Sequence, residues 1–328
     1  MKPLPFDALE PMEAKAMPAL PQGDGWRFEP KWDGFRCLVF KAGGQVWLQA
    51  KSGKPLARYF PEVVAALQAA KPQRFILDGE LTIETPQGLS FEALQMRLHP
   101  AASRIARLSA ETPARLIAFD LLADETGNYV DAPWTARHAA LEALAERLGD
   151  TIALSPGVDE RAEAQRWLSG DVVGRDGVVA KRIDGVYEPG VRAMVKVKRI
   201  RTADCVVGGF RTWKDTDLVG SLLLGLYDDD GRLDHVGYTS TIANAERAEL
   251  TARLRALAGG TGFTGDAPGG PSRWSDEKSA QWTPLRPELV VEVAFDHVGE
   301  GRFRHGTRLL RWRPDKRPDQ CRRDQLRA

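Results

Sequence analysis

The chain has 328 residues, with 46 lysines and arginines against 45 aspartates and glutamates, and its formal net charge is +1. Its apolar fraction of 43% is ordinary for a soluble globular protein. No apolar run approaches the ~20 residues of a membrane span, so we expect no membrane association. A chain of this length is natural for two domains.

The N-terminal segment and the cysteines favour a cytoplasmic protein. Residues 1–20 contain three acidic residues and lack the apolar stretch of a cleavable signal peptide. Cys37, Cys205 and Cys321 lie far apart, so they offer neither a disulfide framework nor the paired spacing of a zinc site. We therefore expect each thiol to be buried and reduced.

The first 200 residues predict a mixture of strands and helices without a regular βαβ alternation. A hairpin is predicted across residues 36–49 because apolar and polar residues alternate on both sides of Gly43-Gly44. The other predicted elements are helices at 61–70, 90–98 with Ser90 as its cap, 137–148 and 161–168, and strands at 75–83, 115–122, 178–181 and 194–198. This order indicates an α+β domain with antiparallel sheets.

The pattern changes near residue 201, where short strands become dominant. Strands are predicted at 204–210, 220–227, 233–239 and 289–298, with one helix at 243–257 and a long loop at 259–282. Several strands with one inserted helix are typical of a small OB-type barrel. We therefore predict one domain at residues 1–200 and a second at residues 201–328.

The charged residues are unevenly distributed. Residues 181–201 contain seven lysines and arginines against two acidic residues, and residues 302–327 are similarly basic. Such stripes are the electrostatic footprint of a phosphate-rich partner, although a solvated face without a partner is the alternative.

Six short segments carry the chemistry, and their order and spacing resemble a known superfamily. They are EPKWDGFR at 29–36, LDGE at 77–80, AFD at 118–120, DGVVAK at 176–181, VKVK at 195–198 and RWRPDK at 311–316. These segments resemble motifs I, III, IIIa, IV, V and VI of the covalent nucleotidyltransferases, which include ATP-dependent DNA ligases, RNA ligases and capping enzymes. The DGVVAK segment, the tryptophan after the lysine and residues 202–210 are most similar to small bacterial ATP-dependent DNA ligases of the LigC type.

The resemblance implies a fold and a reaction. The fold is a nucleotidyltransferase (ATP-grasp-like adenylation) domain at 1–200, followed by an OB-fold β-barrel domain at 201–328. In this family the lysine, here Lys31, attacks the α-phosphate of ATP and becomes adenylylated. The AMP then passes to a 5′-phosphate at a nick, and the 3′-hydroxyl displaces it to seal the strand. An ordinary exposed lysine is the alternative for Lys31.

The resemblance also implies roles at the nucleotide end of the site. Glu29 would recognise the adenine edge, Arg36 the ribose and phosphate, and Phe119 would stack on the base, although a phenylalanine in such a strand also suits plain core packing. Glu80 would contact the ribose or a Mg²⁺ ion, unless it forms a buried ion pair instead.

The remaining candidates are directed at phosphate. Lys196 and Lys198 point to one face of a strand and can both meet the α-phosphate, although one of them could be a solvated edge charge. Arg313 and Lys316 would orient the leaving pyrophosphate, with a general DNA-contact patch as the alternative. Lys181 is the last cation of the nucleotide site.

A nucleophilic lysine must be neutral, which sets a requirement on the site. The pKa of free lysine is near 10.4, and lowering it by about three units requires roughly 4 kcal/mol. Lys181, Lys196, Lys198 and a bound Mg²⁺ could supply the repulsion.

Two departures from the family pattern weaken particular assignments. Motif IV usually opens with glutamate, and here Asp176 stands in that place as the second proposed metal ligand beside Glu80. Lys51 stands where an arginine is frequent, and a lysine cannot reproduce a bidentate phosphate contact, so we expect its contact to be weaker.

The function that we predict is an ATP-dependent DNA ligase with a role in repair, using ATP and Mg²⁺ and acting on nicked double-stranded DNA. Only 30 residues precede Lys31 and no four-cysteine site follows, which favours ATP over NAD. We expect a monomer, with repair proteins as further partners. The alternatives are an RNA ligase, a GTP-dependent capping-type nucleotidyltransferase, or a nucleic-acid-binding module that has lost its activity.

Overall fold

The computed structural model describes residues 9–86, 88–169, 175–269, 281–299 and 301–326. The chain forms two compact units, Met1–Arg199 and Ile200–Ala328. Within the described ranges, no helix is both long and apolar enough to cross a membrane.

The described residues of the first unit form ten strands and five α-helices. The strands are β1 (Ala14–Ala16), β2 (Trp26–Trp32), β3 (Phe35–Ala42), β4 (Gln45–Ala50), β5 (Arg74–Thr85), β6 (Gly88–Leu89), β7 (Ala114–Ala123), β8 (Ala153–Leu154), β9 (Arg175–Arg182) and β10 (Met194–Lys198). The helices are α1 (Pro61–Ala69), α2 (Phe91–Arg97), α3 (Ala102–Glu111), α4 (Trp134–Leu148) and α5 (Arg161–Ser169).

Two sheets form the framework of this unit. One has the strand order β1-β10-β9-β2, and its ladders are antiparallel except for the parallel pair of β1 and β10. The other has the order β4-β3-β5-β7-β8, again antiparallel except for the parallel pair of β7 and β8. Side chains from both sheets meet in one apolar cluster, which includes Leu38, Ile76, Leu122 and Met194. The sheets therefore pack face to face, and the polar residues near this cluster lie between them.

The outer faces of the two sheets are covered by helices. A cluster that contains residues from α1, α2 and α4 covers the second sheet, and α5 packs through Ala164 on Phe28, Val178, Ala180 and Val197 of the first sheet. Local sequence explains where the helices begin and end. Pro61 starts α1 at a position that needs no N–H donor, and the fully buried Lys41 donates to the carbonyls of Leu67 and Ala70 at its other end.

The second unit is built mainly of strands. In the part of the chain that the structure describes, they are β11 (Arg201–Thr212), β12 (Val219–Tyr227), β13 (Leu233–Thr239), β14 (Thr283–Pro284), β15 (Val290–Phe295), β16 (Val298–Gly299), β17 (Arg302–Phe303) and β18 (Arg308–Trp312), with one α-helix, α6 (Arg247–Arg255). The main sheet has the order β13-β12-β11-β15-β18, and β14 pairs with β11.

The two edges of this main sheet approach each other at one point. An isolated bridge joins Thr239, at the end of β13, to Thr307, which precedes β18, and the Thr239 hydroxyl donates to the Thr307 carbonyl at 2.8 Å. No continuous ladder joins β13 to β18 within the described residues, so the sheet is strongly curved without forming a closed barrel. The expectation of a barrel therefore exceeds what the strand pairing shows.

Most of the predicted elements are confirmed, with shifts of a few residues at their ends. The Gly43-Gly44 hairpin joins β3 and β4, and the Ser90 hydroxyl accepts from the Ala93 N–H to cap α2. The predicted helix at 243–257 is wrong at its start, because a 3₁₀ turn at Asn244–Glu246 precedes α6. Helix α3 and strand β18 were not predicted. The loop predicted at 259–282 lies partly outside the described residues.

Candidate active site

Lys31 lies near the end of β2, opposite a bulge in β9. In the ladder Lys31 is opposite Gly177, whereas Trp32 is opposite Arg175, so Asp176 is the extra residue on β9. The Lys31 ammonium donates to Oδ2 of Asp176, whose side chain is 3% exposed against 22% for Lys31. The bulge therefore aims a buried carboxylate at the amine that the sequence predicts to be the nucleophile.

Two glycines permit the close approaches around this lysine. Gly177 has a φ of +150°, and a Cβ there would lie 2.1 Å from the carbonyl oxygen of Val197 on β10. A Cβ on Gly34, which follows β2, would lie 2.2 Å from the Leu81 carbonyl oxygen and 2.8 Å from the Glu80 side chain. Any larger residue at either position would push apart strands that carry site residues.

A cluster of lysines surrounds the end of β2. Lys198 is opposite Gly177, and Lys196 is opposite Val179, so both lysines share a face with Lys31. Burial lowers the pKa of Lys196, and the positive charges of Lys31, Lys51 and Lys198 lower it further. Lys196 therefore lies within electrostatic range of three other lysines. Such a cluster of positive charges is expected of a phosphate-binding site.

Lys51 is the most exposed member of this cluster. Its ammonium forms an ion pair with Glu13 at 2.9 Å, and its side chain is 56% exposed. Glu13 also pairs with Arg192 at 3.3 Å, and the hydrogen bond from Lys51 is the main cause that lowers the pKa of Glu13. A phosphate contact by Lys51 thus has to compete with this carboxylate.

Glu29, Lys181 and Phe119 form a second group, in which Glu29 and Lys181 share a face of the first sheet with Lys31 and Phe119 lies on β7 of the other sheet. The Lys181 ammonium lies 2.8 Å from Oε1 and 2.9 Å from Oε2 of Glu29, and it also donates to the Phe119 carbonyl at 2.9 Å. Burial raises the pKa of Glu29, and the charge of Lys181 opposes that rise. This pair connects β2 and β9 to β7 and holds a carboxylate ready for a hydrogen-bond donor such as an adenine amine.

Phe119 lies between two cations. The guanidinium carbon of Arg36 and the ammonium nitrogen of Lys181 are each 4.7 Å from the centre of its ring. These contacts hold the half-buried ring in place. An ordered aromatic ring beside Glu29 suits stacking against a nucleobase.

Arg36 is held by acceptors that the sequence did not indicate. Its Nε and Nη2 donate to the two carboxylate oxygens of Asp78, and Nη2 also donates to the Met12 carbonyl at 3.1 Å. The Tyr187 hydroxyl donates to the same carboxylate at 2.6 Å and accepts from the Met12 N–H at 2.9 Å. This network fixes the guanidinium, so any contact with a ribose or phosphate has to use its remaining N–H groups.

The Glu80 carboxyl group lies in a desolvated environment near two basic side chains. It is opposite Arg36 in the ladder of β3 and β5 and is half-buried. Burial raises the pKa of Glu80 to about 8, against the opposing charges of Arg36 and Lys31, while Asp78 and Asp33 raise it further. Within the described residues, no hydrogen bond or ion pair engages this carboxyl group.

Glu80 and Asp176 suit a magnesium ion that also binds phosphates. Both offer hard carboxylate oxygens. Both are also near Lys31, which donates to Asp176 and whose charge acts on Glu80. No group of three or more histidine, cysteine or acidic side chains that could hold a metal occurs within the described residues. Because Mg²⁺ commonly takes one or two carboxylates together with substrate phosphates, two protein ligands are sufficient.

Arg313 and Lys316 lie together in the second unit, and both are bound to Asp204. Arg313 Nη1 donates to Oδ1 of Asp204 at 2.8 Å, and the Lys316 ammonium donates to Oδ2 at 2.7 Å. The other side of the Arg313 guanidinium binds the carboxylate of Asp315 at 2.8–3.2 Å. Asp204 stands in the 202–210 segment, but only the hydrogen bonds of the folded chain show that it joins the two cations.

The site as a whole defines a class of protein. Lys31 lies at a strand end, near cations suited to binding phosphate and carboxylates suited to binding a metal. This arrangement is typical of enzymes that transfer nucleotides through a lysine.

Comparison with known proteins identifies the family. The sequence-family model of the ATP dependent DNA ligase domain matches residues 11–198. The family model of the ATP dependent DNA ligase C terminal region matches residues 215–316. DNA ligase C2 of Mycolicibacterium smegmatis is 44% identical over 95% of this chain and 92% of its own length. The chain therefore belongs to the ATP-dependent DNA ligases, and it is similar to the small ligase C type.

Two further comparisons involve ligase D proteins. The multifunctional non-homologous end joining protein LigD of Mycobacterium bovis is 31% identical over 97% of this chain, which spans 40% of LigD. The solved structure of mycobacterial DNA ligase D complexed with ATP and MES is 29% identical, with a TM-score of 0.50, and the match covers 97% of this chain and 99% of that one.

Proposed function

We propose that this chain seals nicks between a 3′-hydroxyl and a 5′-phosphate in DNA, and that Lys31 carries AMP during the reaction. Neutral Lys31 Nζ attacks the α-phosphorus of ATP, the N–P bond forms as the bond to the bridging oxygen breaks, Nζ loses a proton, and pyrophosphate leaves. A 5′-phosphate oxygen of the nick then attacks the adenylate phosphorus, the N–P bond breaks, and Lys31 regains a proton as it leaves. Finally, the 3′-hydroxyl attacks the 5′-phosphate, loses its proton and releases AMP.

The ion pair of Lys31 with Asp176 sets the condition for the first step. While the Lys31 ammonium donates to Asp176, its nitrogen has no lone pair with which to attack. A Mg²⁺ ion held by Asp176, Glu80 and the ATP phosphates would neutralise phosphate charge and occupy the carboxylate that otherwise pairs with Lys31.

The group of Glu29, Lys181 and Phe119 supports recognition of adenine. Glu29 can accept from the exocyclic amine of adenine, whereas guanine presents a carbonyl oxygen at the corresponding position and would leave the buried carboxylate without a donor. Phe119 offers an ordered ring for stacking. This arrangement favours ATP over GTP.

We propose that the second unit is an OB-type barrel that is partly open, and that it contacts DNA. Its curved sheet and the single bridge between Thr239 and Thr307 support this interpretation. The basic stripes at 181–201 and 302–327 provide cations for the phosphate backbone, so binding should weaken steeply with salt.

Similarity to a protein named for non-homologous end joining supports a repair role. We propose that this chain acts as a monomer on breaks and nicks that arise during repair, in concert with repair proteins. A cytoplasmic location stays a prediction, which the three buried free cysteines suit.

The observation that carries the proposal is the position of Lys31 among Asp176, Lys196 and Lys198. We expect the wild-type chain to form a covalent AMP adduct with α-labelled ATP and Mg²⁺, and the Lys31→Ala variant to form none. Lys31→Arg keeps the charge opposite Asp176 without a usable nucleophile, so it should fold normally and also form no adduct. The exposed Lys15 gives the matched control, because Lys15→Ala should label as the wild type does.

The same assay separates the alternatives. Labelling from GTP alone, or sealing of nicked RNA but not nicked DNA, would identify an RNA-directed or capping-type enzyme. Absence of any adduct in the wild type would leave only a nucleic-acid-binding module. An adduct retained by Lys31→Ala would show that another residue is the nucleophile.

A further inference from the structure

Asp204 joins the two cations that are the candidates for binding pyrophosphate. Its side chain is 12% exposed, and it binds two cations through different oxygens, Arg313 through Oδ1 and Lys316 through Oδ2. Its backbone is fixed as well, because the Gln325 side chain accepts from the Asp204 N–H at 2.9 Å and donates to its carbonyl at 3.2 Å. Asp204 is therefore an ordered anchor for two side chains.

The contacts of Arg313 leave part of its guanidinium available. Nη1 donates to Asp204, while Nε and Nη2 donate to Asp315. A guanidinium has five N–H groups, so three are used and two remain for a ligand. The Lys316 ammonium has three N–H groups, of which one is directed at Asp204.

The local charge balance shows what this cluster can offer. Arg313 and Lys316 carry two positive charges, and Asp204 and Asp315 carry two negative charges. Glu292 pairs with the neighbouring Arg311 at 2.6 Å and also lies 3.9 Å from Nη1 of Arg313, so Arg311 and Glu292 add one charge of each sign. Because the cluster is neutral overall, it cannot attract a polyphosphate by net charge, and its value lies in N–H donors held in fixed directions.

We propose that Asp204 is a positioning residue for the adenylylation step. It holds Arg313 and Lys316 as a rigid pair whose remaining N–H groups bind the pyrophosphate that leaves ATP. This inference rests on the proposed function of the chain as a lysine-adenylylating ligase. The carboxylate does not touch the reacting atoms, and it acts only through the two cations.

Asp204→Asn is the decisive substitution because it keeps the size of the side chain and removes its charge. An asparagine can accept from one of the two cations, but it turns an NH₂ group towards the other and releases it. We expect the rate of self-adenylylation with ATP to fall about 10- to 100-fold, with a higher ATP concentration for half-maximal rate. Sealing of a nick that already carries AMP should stay within about twofold of wild type, because pyrophosphate takes no part in it.

Three comparisons distinguish positioning from a structural effect. Asp319→Asn is the matched control, since among the described residues Asp319 pairs with the exposed Arg317 at 3.1 Å and with neither Arg313 nor Lys316, and this variant should adenylylate as the wild type does. In a Lys316→Ala background, Asp204→Asn should cause a smaller loss than in the wild type, because one of its two targets is gone. Asp204→Glu should recover part of the rate, and it serves as the test if the asparagine variant does not fold.

The outcomes separate this inference from the proposed function. If the wild type forms the AMP adduct and Asp204→Asn forms it at an equal or higher rate, Asp204 either has no role or competes with pyrophosphate, and the inference is wrong. Equal losses in adenylylation and in sealing of the pre-adenylylated nick would also overturn it. Failure of the wild type to form any adduct would refute the proposed function instead.

Discussion

Glu80 shows how burial changes the ionisation of a single carboxyl group. Desolvation penalises its charged form more than the nearby Arg36 and Lys31 favour it, so its pKa rises to about 8. Near neutral pH the carboxyl group is therefore mainly protonated in the folded chain. A divalent ion at this position would have to displace that proton, which couples metal binding to pH.

This pKa shift gives a test of stability against pH. In the unfolded chain Glu80 loses its proton near its ordinary pKa of 4.5, whereas in the folded chain it keeps the proton up to about pH 8. The unfolded state therefore binds fewer protons between these two values, and the contribution of Glu80 to stability is lost as pH rises from 4.5 towards 8. Glu80→Gln, which resembles the protonated form, should remove this loss.

The measurement is the melting temperature across this pH range, without ATP or Mg²⁺. We expect the melting temperature of Glu80→Gln to fall less with rising pH than that of the wild type. Glu84→Gln, on the exposed part of the same strand, should keep the wild-type slope. Parallel slopes for the wild type and Glu80→Gln would show that Glu80 ionises normally in the folded chain.

At the scale of elements, strand β9 organises most of the site. It lies between β2 and β10, so it places Lys31 on one side and Lys196 and Lys198 on the other. Its bulge directs Asp176 at Lys31, and the absence of a side chain at Gly177 lets β10 approach. The geometry of the lysine cluster around the end of β2 therefore depends on the register of β2, β9 and β10.

Gly177→Ala tests this dependence. The added Cβ would lie 2.1 Å from the Val197 carbonyl, on a backbone with a φ of +150°. We expect a loss of about 2 kcal/mol or more in the free energy of unfolding, together with loss of adenylylation as β9 and β10 separate. Urea unfolding and AMP labelling measure the two effects.

A glycine elsewhere supplies the control. Gly44, in the turn between β3 and β4, has open space around the position of a Cβ and needs no left-handed backbone. Gly44→Ala should leave both stability and labelling close to wild type. If Gly177→Ala behaved in the same way, the close approach of β10 would not be required for the site.

At the scale of the whole molecule, the candidate residues are divided between two units with separate cores. The apolar cluster of the second unit contains residues from 203 onwards, and the three clusters of the first unit contain residues up to 197. Lys31 and the other candidate residues of the nucleotide site belong to the first unit, whereas Arg313 and Lys316 belong to the second. Each unit can therefore be examined for its share of the chemistry.

A chain that ends after Arg199 should fold, because its apolar clusters are complete. It should adenylylate itself at least about 100-fold more slowly than the full chain, since Arg313 and Lys316 are missing. Thermal unfolding and AMP labelling measure both properties, with the same fragment carrying Lys31→Ala as the background. A fragment that labels at the full rate would remove Arg313 and Lys316 from the adenylylation step.

The sequence alone determined much of the catalytic strand geometry. Residues two apart on a strand share a face, so the spacing of Glu29 and Lys31, and of Lys196 and Lys198, already placed each pair together. Local signals also determined the Gly43-Gly44 hairpin and the Ser90 cap, because turns and caps depend on neighbours a few residues away. The family resemblance depended on the same short segments.

Only the tertiary structure decided which side chains form hydrogen bonds with the carboxylates of the candidate site. Tyr187 and Asp78 are 109 residues apart, and Lys316 and Asp204 are 112 apart, so no local pattern joins them. The burial that raises the pKa of Glu80 and the bulge that aims Asp176 likewise arise from strand pairing and packing. The sequence supplies the charged groups, but their partners and their ionisation depend on the fold, because electrostatic energies are governed by distance and by exclusion of water.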